Sequence, residues 1–91
     1  MTRFEQIDPV IRQWSHERQL PLYTEYKETE VRSFEVPGSS GAACQIWIEV
    51  GHTLSVCVWD RADRRRTFET DASSLRGALD EALNVARRWA S

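Results

Sequence analysis

Along residues 43–60 apolar and polar side chains alternate with a period of two. Cys44, Ile46, Ile48 and Val50 take one side; Ala43, Gln45, Trp47 and Glu49 take the other. Such alternation marks a strand with one face toward a core, and it predicts a strand over 43–50. Gly51-His52-Thr53 follows as a three-residue loop with glycine, a usual hairpin connection. Residues 54–60 then alternate again, with Leu54, Val56 and Val58 against Ser55, Cys57 and Trp59. Closing the hairpin over 51–53 sets Val50 opposite Leu54, Ile48 opposite Val56 and Ile46 opposite Val58, so the aliphatic faces coincide. The reverse face carries Trp47 beside Cys57, with Trp59 one diagonal step away.

Upstream, Phe34 and Val36 against Ser33 and Glu35 predict a strand over 29–36. It joins the hairpin through Pro37-Gly38-Ser39-Ser40-Gly41, a stretch suited to a hairpin loop rather than a domain boundary. Downstream, a turn near 61–65 leads to a short strand over 66–70. Its register stays open, because a slip of one residue moves Phe68 between the aliphatic and the tryptophan face. Helical spacing brackets these strands. Asp8 is a good N-cap, Pro9 suits the first helical position, and Val10, Ile11 and Trp14 form a stripe that Pro21 ends. The first helix is expected over 9–19. In the last segment Leu75, Leu79, Ala82, Leu83, Ala86 and Trp89 form a continuous stripe. Asp71, Ser73 or Ser74 can cap it, Arg87 and Arg88 suit its C-terminal dipole, and Gly77 offers close approach to the sheet. The predicted fold is α+β: a single domain over 1–91 in the order α-β-β-β-β-α. Its sheet is an antiparallel meander with two helices packed on the aliphatic face.

Composition narrows the class. The 91 residues are 41% hydrophobic and 29% charged, and four Trp, three Phe and two Tyr give one modest core its bulk. No apolar run approaches the length that crosses a membrane, and residues 1–5 lack a secretory apolar stretch, so the expected location is cytoplasmic. Acidic residues prevail in the first part of the chain and arginines in the second. The net charge is only −2, so no global field favours nucleic acid. Cys44 and Cys57 have no metal-ligand spacing and fall on opposite faces of neighbouring strands, which predicts two free thiols.

Candidate chemistry is sparse. Trp47, Cys57 and Trp59 on the second sheet face are the first candidate for partner binding or self-association, because aromatic patches mark interfaces. The competing expectation is that the first helix or residues 20–28 cover that face. A nucleic-acid site is the alternative, in which Arg61, Arg64, Arg65 and Arg66 around one hairpin stand next to Trp59. Asp60 and Asp63 in the same turn point instead to local ion pairs on a solvated hairpin. Glu25, Glu28 and Glu30 suggest a charged edge strand, which could also offer a negative surface. His16 and His52 stand alone, and no nucleophile elbow, phosphate loop or dinucleotide fingerprint occurs. The element order loosely resembles the double-stranded-RNA-binding domain, and Leu20-Pro21-Leu22-Tyr23-Thr24 is similar to the start of that domain's first strand. The likeness ends at Asp71-Ala72-Ser73-Ser74-Leu75-Arg76, where that domain is basic, and at the fourth strand. No family is claimed. The expected function is a small non-enzymatic interaction module (adaptor, regulator or inhibitor) using the Trp47/Trp59 face or an edge strand, alone or as a homodimer. It is expected to have no catalytic residues, cofactor or metal. A small-ligand carrier or enzyme is a third reading.

Overall fold

The computed structural model describes residues 3–38, 43–60 and 62–90. Helix α1 spans Phe4–Arg18, beginning before the Asp8-Pro9 signal and placing Pro9 inside the helix. Proline there cannot give the hydrogen bond to the carbonyl of Glu5, a local cost. Burial outweighs it: Phe4, Ile7, Ile11 and Trp14 recur at helical spacing, and the last three are almost fully buried. Gln6 Oε1 accepts the Arg3 N–H at 2.8 Å at the helix start. At the other end Gln19 adopts the left-handed region (φ 56°), and Leu20 N–H returns to the Ser15 carbonyl.

The sheet has five strands, one more than the pattern predicts. Strand β1 (Leu22–Tyr26) precedes β2 (Thr29–Pro37), β3 (Ala43–Glu49), β4 (Leu54–Asp60) and β5 (Arg65–Thr70). They pair in chain order, all antiparallel. Strand β1 was concealed for two reasons. The β1–β2 turn uses Lys27 and Glu28, both at positive φ (49° and 66°), where Asn or Gly is the usual signal. The register also shifts between Tyr23 and Glu25, which breaks the alternation. The central hairpin has the expected register: Ile46 opposite Val58, Trp47 opposite Cys57 and Ile48 opposite Val56. Strand β3 stops at Glu49, so Val50 belongs to the connection. Phe68 lies opposite Val56, on the aliphatic face.

A short turn, Ala72–Ser74, leads into α2 (Leu75–Ala90). Asp71 caps it by accepting the Ser74 N–H at 2.9 Å and the Ser73 hydroxyl at 2.7 Å. Both helices pack on the aliphatic face. Trp14 meets Phe34 edge-on at 5.1 Å between ring centroids, and Leu75, Leu79, Leu83 and Ala86 from α2 complete the core. Gly77 is exposed and a Cβ there would meet nothing within 4 Å, so it does not bring α2 closer to the sheet.

Two polar clusters pin α1. Asp80 on α2 accepts from Trp14 Nε1 at 2.9 Å and from Arg18 Nη2 at 2.8 Å. Burial works to raise its pKa, but these two donors prevail and hold it below the ordinary carboxylate value. Arg76 and Glu17 add a second α2–α1 ion pair. On β2, Arg32 is 5% exposed and grips Asp8 through Nε at 2.7 Å and Nη2 at 3.0 Å, with Glu30 at 2.9 Å from Nη2. Its guanidinium lies over the Phe4 ring, 4.6 Å from the centroid. Among the described residues no buried side-chain nitrogen or oxygen lacks a partner.

Candidate functional site

With both helices on one side and residues 22–26 extending the sheet edge as β1, neither candidate cover folds across the tryptophan face; Phe4 of α1 and Tyr23 and Tyr26 of β1 only border it. The strand register lays that open face out in rows. One row reads Tyr23, Ser33, Trp47, Cys57 and Thr67 across the five strands. The next reads Glu35, Gln45, Trp59 and Arg65. Glu49, Ser55 and Glu69 follow on the other side of the Trp47 row. A broad groove of about 1030 Å³ runs over β1–β4, with Trp47 and Trp59 in its wall, Tyr23 and Tyr26 toward the β1 edge, and Phe4, Arg32, Phe34 and Ile48 lining it from the helix side.

The tryptophans are half-buried rather than fully exposed. Each lies against its neighbours, with its indole N–H held by an adjacent carboxylate: Trp47 Nε1 gives to Glu49 at 3.0 Å, and Trp59 Nε1 to Asp63 at 3.3 Å. The more exposed aromatics are Tyr26 (63%) and Tyr23 (45%), which the sequence offered only as part of a cover over the tryptophan face because β1 was not recognised. Tyr23 gives a hydrogen bond to Glu35 at 3.3 Å.

Cys57, the third candidate on this face, is 3% exposed, and its sulfur accepts from the Thr67 hydroxyl at 3.7 Å. Burial raises its pKa against the opposing Thr67 hydrogen bond, and burial raises that of Cys44 as well. Both thiols are free and buried, on opposite faces. Neither is expected to react with a disulfide reagent in the native protein near neutral pH, while both react promptly in denaturant. Native labelling of Cys57 at the denatured rate would contradict its burial.

The arginine hairpin is not one patch. Arg61 lies outside the described residues. Arg64 bonds Asp60 at 2.6 Å and sits over the Trp89 ring at 5.0 Å. Arg65 is on the open face, its guanidinium 5.7 Å from the Trp47 centroid. Arg66 is on the helix side, 4.9 Å from the Phe68 centroid. Alternation along β5 sends neighbouring arginines to opposite faces. Arg66, Arg87 and Arg88 instead border a shallow hollow of about 500 Å³ between β5 and α2, together with Glu81.

Among the described residues, no group of three or more His, Cys, Asp or Glu is placed to hold a metal ion, and no helix is long and apolar enough to cross a membrane. Comparison with protein-family models, with curated proteins and with solved structures finds no match to this chain.

Proposed function

We propose that this chain is a non-enzymatic interaction module, an adaptor, regulator or inhibitor, that seats a partner protein on the open face of its sheet. What supports this most directly is the groove itself. It is broad and aromatic, α1 reaches it among the described residues through Phe4 alone, and its carboxylates sit among the rings. Trp47 and Trp59 are its anchors, since half-buried indoles give large contact area with little ordering cost. Cys57 lies beneath them as packing. Two free buried thiols suit a reducing compartment such as the cytoplasm.

The test uses tagged protein as bait in cells of its source, comparing wild type, W47A/W59A and a helix-side variant, R12A. A partner should be retained by wild type and by R12A and lost more than about tenfold from W47A/W59A, as expected for interface anchors. Circular dichroism establishes that each variant is folded. A partner held equally by folded W47A/W59A would remove the open face from the function.

A further inference from the structure

We infer that the segment docking on the open face is cationic: an arginine- or lysine-bearing stretch of the partner protein, its charged head stacked on the groove aromatics and paired with Glu35 and Glu49. This rests on the open face being the docking surface and names the chemistry it takes.

Three observations carry it. The first is charge. Glu25, Glu35 and Glu49 border the groove, while Glu30, also in its lining, is spent on Arg32, the one basic lining residue among those described. Arg32 is buried and already committed to Asp8 and Glu30. Among the described residues no ion pair reaches Glu25, Glu35 or Glu49, so their field falls on whatever enters. The second is that these rings already attract cations from the chain itself. Arg65 lies over Trp47, and the Lys27 ammonium is 5.2 Å from the Tyr26 centroid. The third is the poor fit of the rival occupants. A second copy would bring Glu35, Glu49 and Glu69 of each face together against fewer cations, Arg65 and, at the β1 edge, Lys27. A nucleic-acid backbone would meet the same carboxylates. Arg65 therefore acts as an internal occupant of the Trp47 face that an incoming guanidinium must join or displace.

Nona-arginine peptide, titrated at low salt into the purified protein, is the probe, with tryptophan emission as the readout. Binding should perturb the emission and weaken as salt rises. E35Q/E49Q should weaken it by about tenfold, as loss of close charge partners does. E81Q, which removes an exposed charge from the helix side, should stay within about twofold of wild type, in the range of remote surface charges. R65A should tighten binding several-fold, because a competitor and a like charge are gone. Unperturbed emission, equal loss in the two glutamine variants, or weaker binding by R65A would each overturn the inference. So would a sedimenting dimer that W47A dissociates, which would assign the face to a second copy. The two readings fail separately. A partner lost on W47A/W59A while nona-arginine does not bind refutes only the cationic segment; a partner indifferent to W47A/W59A refutes the docking face itself.

Discussion

Replacing Trp14 by alanine is expected to lower the unfolding free energy by about 4 kcal/mol, in the range measured for large aromatic truncations in cores. Trp14 is fully buried, packs edge-on against Phe34 from β2, and donates to Asp80 on α2. It ties α1 to both the sheet and the second helix. Truncation leaves a cavity beside Phe34 that a rigid sheet cannot close, and it removes one donor from a carboxylate that burial already disfavours. Small domains are stable by only roughly 5–15 kcal/mol, so the variant should lie near the edge of folding. At roughly 4–8 °C per kcal/mol, its Tm should fall by about 20 °C. Urea unfolding followed by circular dichroism reads this directly. Trp14→Phe keeps most of the bulk and should recover most of the loss. If the alanine variant melted within a few degrees of wild type, α1 would not be anchored as described.

Asp8→Ala is expected to cost about 3 kcal/mol, as removing one partner of a buried pair does. Arg32 is nearly inaccessible, and Asp8 takes two of its donors. Without Asp8 the guanidinium keeps the Val31 carbonyl, which is neutral, and Glu30, whose own side chain is 66% exposed and screened by water. The loss comes from the stranded charge rather than from the lost attraction, so Asp8→Leu combined with Arg32→Met should restore most of the stability. The hydrogen bonds from Arg32 hold the Asp8 pKa below its usual value. A depressed carboxylate contributes stability that is present above its unfolded pKa, near 4, and lost as pH falls through its folded pKa. Urea midpoints measured across acid pH should therefore fall less steeply for Asp8→Asn than for wild type. An unchanged acid limb would detach Asp8 from this role.

The residues that made the fold legible are those whose local pattern and tertiary environment agree. Alternation in β3 and β4 set the central register, because a one-residue slip would turn Ile46, Ile48, Val56 and Val58 to the open face. The α2 stripe was legible for the same reason. Legibility failed where a local signal was overridden. Asp8-Pro9 carries the chemistry of a helix start, yet Asp8 serves Arg32 and the helix begins at Phe4, because burying Ile7 beside Ile11 is worth more than a cap. Strand β1 was hidden by a turn whose left-handed residues are Lys and Glu.

By itself the sequence determined the α+β class, the antiparallel meander and the assignment of Trp47, Cys57 and Trp59 to one face, because these follow from short-range periodicity. Only the tertiary structure decided that neither α1 nor residues 22–26 covers that face, that Cys57 is sealed beneath it, and that Arg64, Arg65 and Arg66 diverge. It also brought Tyr23, Tyr26 and the β1–β3 carboxylates into one groove. Those outcomes depend on which surfaces meet after the strands pair. That choice is made by the summed burial of a whole core, not by any run of neighbouring residues.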